Sequence, residues 1–233
     1  MPSSIIVAIE TSSRIGSVAL GDSQGLWSEA PFSGPMRHTS ECLPTIKTLL
    51  AQHHHSPADI SELRLSIGPG SFTGLRIAVS LAKSMALAQG VRIVTVDTLD
   101  VIAANLTDPT GPTSCITLLD AKRNQFFAAG YTRNSNQEIW HKDLNDCILT
   151  AKEIMTGFAA RHTPIHVLGD ALLYHKDKFL GKKTVIADES LWSPQASKVF
   201  TLGHEKSQKG LFADPMTLEP FYLRGPQVTL KKR

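Results

Sequence analysis

The run Gly68-Pro69-Gly70-Ser71-Phe72-Thr73-Gly74-Leu75-Arg76 lies between an apolar strand-like segment and a helical one. Backbone N–H groups at such a junction can face an anion. The run lacks the Gly-Lys-Ser/Thr ending and the glycine spacing of a Walker A loop. The competing reading is a tight turn that packs a helix closely on a sheet. Two acids, Glu10 and Asp120, each end an apolar run and open a turn, Glu10-Thr11-Ser12-Ser13 and Asp120-Ala121-Lys122-Arg123-Asn124. Such turns can cradle phosphates around Mg²⁺, yet acids at strand ends also satisfy turns and caps. The second turn has no glycine, so its backbone cannot approach a phosphate closely. Glu10, Thr11, Ser12 and Asp120 therefore read as a vestigial nucleotide site, with Gly169-Asp170 the sole glycine turn near an expected adenosine position.

Metal and nucleophile chemistry are weaker. His38 and Cys42 are four apart and share a helix face. A catalytic zinc takes about three protein ligands, and no third is evident, so the expectation is no metal of its own. His53-His54-His55 point in different directions on a helix and suit the partial negative charge of its C-terminus. No G-x-S-x-G occurs around Ser71. Cys42, Cys115 and Cys147 are odd in number and far apart, which reads as three reduced thiols.

The elements that must position these residues follow from periodicity. Ile5–Glu10, Gly16–Leu20 and Leu26–Ala30 read as a strand meander with a turn at Asp22–Gly25. A helix is expected from about Thr39 to His53, with Pro44 in its first turn. Strand Leu63–Ile67, helix Leu75–Gln89 closed by Gly90, strand Arg92–Val96 and a short helix near Leu99–Leu106 follow. The pattern then repeats: strands Cys115–Asp120, Gln125–Thr132 and Glu138–Trp140, with a turn at Asn134–Asn136. Helix Ala151–Arg161, strand Ile165–Leu168 and helix Pro194–Lys209 complete it. A β-β-β-α-β-α unit used twice is the architecture of the duplicated actin-like α/β (ribonuclease H-like, ASKHA) fold. The expected subdomains are 1–107 and 108–233, with a boundary near Thr107–Thr113 and an extended proline-bearing tail from Leu211.

Composition sets bounds. The chain of 233 residues can bury a sizeable core. Ile5–Ile9 is too short to cross a bilayer and lacks the flanks of a signal peptide, so a cytoplasmic protein with no membrane contact is expected. Residues 1–107 hold 7 Lys/Arg against 8 Asp/Glu, and the remainder 17 against 13. This bias permits nucleic-acid contact without requiring it. The basic run Lys231-Lys232-Arg233 reads as solvated.

Gly68–Arg76 resembles the signature loop of the TsaB (YeaZ) family. Ile9-Glu10-Thr11-Ser12, Arg37-His38-Thr39-Ser40-Glu41, Leu118–Arg123 and Pro220-Phe221-Tyr222-Leu223-Arg224 resemble further family segments. The resemblance implies Gly68, Pro69, Gly70, Ser71, Phe72, Thr73, Gly74 and Arg76 as the family loop. It also implies a non-catalytic subunit in threonylcarbamoyladenosine synthesis on tRNA, dimerising with a TsaD-like catalytic subunit and assembling with a TsaE-like ATPase. On that reading ATP and metal belong to the partners, tRNA is met through the complex, and the chain alone forms a homodimer. The helix after the loop is apolar or small nearly all round, as expected of one buried on more than one side. Partner-binding residues are then expected at His38, Leu43, Ile46, Leu50, Leu75, Ala78, Val79, Ala82 and Met85. The alternatives are a stand-alone ATP-dependent phosphotransferase of the same fold, or a metallopeptidase.

Overall fold

The computed structural model describes residues 4–134, 139–159 and 163–224. The first lobe runs β1 (Ile5–Glu10), β2 (Ser17–Asp22), β3 (Gly25–Pro31), α1 (His38–Gln52), β4 (Ile60–Gly68), α2 (Phe72–Gln89), β5 (Arg92–Asp97) and α3 (Thr98–Ala103). The second runs β6 (Ser114–Asp120), β7 (Gln125–Thr132), β8 (His141–Thr150), α4 (Ala151–Ala159), β9 (Ile165–Leu168), α5 (Leu172–His175), β10 (Thr184–Ile186) and α6 (Ala196–Gln208). The two five-stranded sheets have orders β3-β2-β1-β4-β5 and β10-β9-β6-β7-β8. In each, an antiparallel meander is extended by two parallel strands on the side of its first strand. This is the duplicated actin-like arrangement.

Apolar runs without alternation mark strands covered on both faces. β1 is buried throughout. Ile5, Val7 and Ile9 join a core with α1 and α2, while Ile6 and Ala8 join another with Val199 and Phe200 of α6. The period of two thus sends alternate side chains into two separate cores. α3 carries Leu99, Ile102 and Ala103 into the second lobe's core and Val101 into the core beneath α6.

The last helix does not stay with the second sheet. α6 lies on β1, β2, β4 and β5 of the first. The fully buried Arg64 of β4, oriented by Nε donating to Glu62 of the same strand at 2.8 Å, holds it there through Nη1 to the Phe200 carbonyl at 2.6 Å. The following tail is neither helix nor strand among its described residues, as far as Arg224, and its Ala213 and Phe221 amides donate to the Ile93 and Ile67 carbonyls of the first lobe. Part of the expected second subdomain, α6 and the described tail, therefore packs on the first lobe.

The expected strand Glu138–Trp140 is displaced. Ile139 and Trp140 precede β8, which runs from His141 to Thr150. The polar stretch His141–Asp146 lacks strand character by itself and is held by its ladder to β7. Trp140 instead donates its indole N–H to the Leu106 carbonyl at 3.4 Å beneath the Arg133 guanidinium. Trp27, at the end of the first lobe's meander, by contrast lies inside β3. The three-residue β10 is too short for periodicity to reveal. Part of the expected turn Asn134–Asn136 and the run Lys231–Arg233 lie outside the described residues.

Candidate functional site

The glycine-rich loop is a packing device. Ser71 caps α2, its hydroxyl accepting from the Gly74 amide at 3.3 Å. The loop presses on the turn after β1: the Ser71 amide donates to the Ser12 carbonyl at 2.6 Å, and the Thr11 hydroxyl to the Gly74 carbonyl at 2.8 Å. A Cβ on Gly74 would fall 1.8 Å from the Thr11 carbonyl oxygen, and one on Gly70 2.3 Å from that of Ser12. Only glycine permits that approach. On the outer side Phe72 stacks on Tyr222 of the tail at 5.0 Å, with the Arg76 guanidinium 3.8 Å over the Phe72 ring.

Glu10 is sealed beneath this contact. One carboxylate oxygen accepts from the amide and hydroxyl of Ser12, both at 2.5 Å, and the other from the Ser66 hydroxyl. Burial pushes its pKa up, against the lowering effect of these bonds.

Above Glu10 an interlobe cleft of about 800 Å³ is lined by the Ser12–Arg14 turn, the glycine-rich loop, Asp120–Arg123, Asp170, Tyr174 and the tail Phe221–Arg224. Its second turn differs from the first. Lys122, Arg123 and Asn124 all have positive φ, at 65°, 56° and 57°. The turn closes on itself, Ala121 donating to the Gln125 carbonyl and Gln125 to that of Lys122, both at 3.0 Å. Asp120 accepts from the Lys122 amide at 2.7 Å and ammonium at 2.8 Å. Burial raises its pKa, but Lys122 outweighs that and leaves it below the usual value. Asp170 is pushed up to about 6 by burial and by the Asp120 charge. Arg14 crosses the cleft from the first lobe and donates to the Tyr174 hydroxyl at 2.5 Å.

The structure thus brings Glu10, Thr11, Ser12 and the glycine-rich loop together, with Asp120 facing them from the other lobe. Sequence reading missed Ser66 and Tyr174. No motif marks either, because they reach the site only through sheet pairing and lobe packing.

A second concavity of about 690 Å³ runs between α1 and α2, lined by Thr39, Cys42, Leu43, Phe72, Thr73, Arg76, Ile77, Ser80, Leu81 and Ser84. The expected docking face needs correction here. Ile46, Leu50, Leu75, Ala78, Val79 and Ala82 are buried, packed into their own lobe. Met85 is half-buried against the same core. Of the expected set Leu43 alone is well exposed, at 49%. α2 turns Arg76, Ile77, Ser80 and Ser84 outward instead. His38 is buried too, its Nε2 2.9 Å from the Ser13 carbonyl, and burial lowers its pKa. Burial also raises the Cys42 thiol to about 12. Among the described residues no three His, Cys, Asp or Glu side chains gather as a metal site. No helix among them is long and apolar enough to cross a membrane.

Two duplicated lobes facing each other across a cleft define a protein of the actin-like class, and residues 31–210 match the family described as "TsaD: tRNA N6-adenosine threonylcarbamoyltransferase". Two curated relatives carry the name tRNA threonylcarbamoyladenosine biosynthesis protein TsaB. That of Bacillus subtilis is 31% identical over 223 residues, covering 94% of this chain and 93% of the relative. That of Escherichia coli is 27% identical over 226 residues, covering 94% of each. The solved structure of YeaZ from Pseudomonas aeruginosa superposes with a TM-score of 0.81 at 20% identity, over 94% of this chain and all of that one. The chain belongs to the TsaB family, within the wider group that the TsaD family model describes.

Proposed function

We propose that this chain works in the synthesis of threonylcarbamoyladenosine on tRNA as a supporting subunit that makes and breaks no bonds itself. It pairs with a TsaD-like catalytic subunit and assembles with a TsaE-like ATPase, and the metal and ATP belong to these partner subunits. The base modified is the adenosine 3′ of the anticodon in tRNAs reading codons that start with A, and the work is done in the cytoplasm. Alone, two copies pair through the same surface. The names of the relatives support the pathway. The observation that carries the subunit reading is the groove between α1 and α2, where Leu43, Phe72 and Ile77 lie beside the small Ser80 and Ser84. Small residues let a partner helix come close, and the apolar ones reward its contact.

Support for an inert cleft comes from its backbone. The amides of Ser12, Ser71, Ala121, Lys122 and Gln125 are all taken up inside the protein and do not cradle phosphates. The test is reconstitution with TsaD-like and TsaE-like subunits, threonylcarbamoyl-adenylate, ATP and unmodified tRNA, the modified nucleoside being counted by mass spectrometry with each protein omitted in turn. Ser80 is exposed, so Ser80→Arg should leave the fold intact and abolish both pairing and modification. Ala82→Arg is no test, because that residue is in the core. Modification that proceeds without the chain, or a folded S80R variant that still pairs, overturns the reading.

A further inference from the structure

The cleft walls carry four cations, Arg14, Lys122, Arg123 and Arg224, against two carboxylates, Asp120 and Asp170. Three of the four are held in place. Lys122 pairs with Asp120, Arg224 donates to the Ala121 carbonyl at 2.9 Å, and Arg14 donates to Tyr174 with its guanidinium 5.4 Å over that ring. Arg123 makes no ion pair or side-chain hydrogen bond among the described residues, and the left-handed turn sets it at the exposed rim. Tyr174 beside it is 65% exposed although it is aromatic. Below the rim the amides of Ser12, Ser71, Ala121, Lys122 and Gln125 are already bonded inside the protein, and the cations at the rim are side chains.

Positive side chains around an exposed ring suit a polymer with a charged backbone and stackable bases. We infer that the mouth of the interlobe cleft takes a single-stranded stretch of RNA, a phosphodiester against Arg14 and Arg123 and a base on Tyr174. The inference deepens the tRNA-modification reading, and rests on it for the RNA being tRNA. The chain then touches the substrate itself, at a mouth that adjoins the proposed α1–α2 docking groove at Phe72, which lines both. An acidic peptide satisfies the cations but leaves the ring without a stacking partner.

The test is fluorescence anisotropy of a labelled, unmodified anticodon stem-loop RNA with the full chain between about 50 and 200 mM salt. Arg123→Glu should weaken binding about tenfold at the lower salt and make the salt dependence shallower by about one unit of slope. Tyr174→Ala should weaken it by about tenfold with the slope unchanged, as loss of a stacking surface does. Lys209→Glu, an exposed lysine at the far end of α6, should do neither. The inference is overturned by a wild-type chain that does not bind, by K209E acting as strongly as R123E, or by poly-glutamate or Mg-ATP displacing RNA at equal concentration. If the R123E and Y174A contrast stands while reconstitution shows no need for the chain, the subunit reading alone falls.

Discussion

The two lobes place the same turn at the same point of the same sheet, after β1 and after β6, and treat it oppositely. In the first the acid Glu10 is sealed, its oxygens bonded by Ser12 and Ser66 and its turn clamped by glycine contacts. In the second Asp120 is neutralised by Lys122 and opens on the cleft, and the turn projects its side chains. A duplicated fold thus assigns one copy of an element to rigidity and leaves the other to the surface. What separates them is the packing each turn meets: α2's glycine-bearing N-terminus comes down on the first, whereas Gly169 after β9 packs on Leu118 within β6 and not on the turn that follows it.

The sharpest way to break this contrast is to wedge the clamp. Gly74→Ala should cost about 3 kcal/mol or more, read as a lower urea midpoint, because its Cβ meets backbone rather than a yielding side chain. Glu10→Ala should cost about 2 kcal/mol by leaving buried hydroxyls unbonded. Equal tolerance at Glu10 and Asp120 would erase the proposed difference between the turns.

Asp170 tests the open side by its pH dependence. Below its ordinary 3.8 the carboxyl is neutral folded and unfolded. Between there and about 6 the unfolded chain ionises first, so stability falls through that window as pH rises. Asp170→Asn should therefore raise stability by about 1–2 kcal/mol at pH 7, after solvent screening, and by almost nothing at pH 3.5. Thermal melts at the two pH values decide it, and a gain of the same size at both refutes the buried-charge origin. Smallest of all, Asp120→Ala should change stability by less than about 1 kcal/mol, since it removes a pair with an exposed lysine.

Much of this was legible in the chain. Uninterrupted apolar runs ending in acids gave β1 and β6, and Gly90 marked the end of α2, where it adopts φ 70°. The glycine-rich loop stood out by composition, and both of its readings were open; the Thr11 and Ser12 carbonyls against Gly74 and Gly70 account for those glycines as close packing. That Leu75, Ala78, Val79 and Ala82 face inward rather than toward a partner was not legible, because Ile77 and Leu81 beside the outward Ser80 and Ser84 blur the helical period along α2. β8 was misplaced because five of its first six residues are polar and belong to a strand only through β7.

The sequence by itself determined the duplicated strand and helix order, the turns, and the acids at the strand ends, because local periodicity and turn chemistry act within a few residues. Only the tertiary structure decided that α6 crosses to the first sheet, that Glu10 is sealed while Asp120 opens on a cleft, and that Arg14 meets Tyr174 across it. Those contacts join residues more than fifty positions apart, and long-range packing, which no local pattern encodes, selects them.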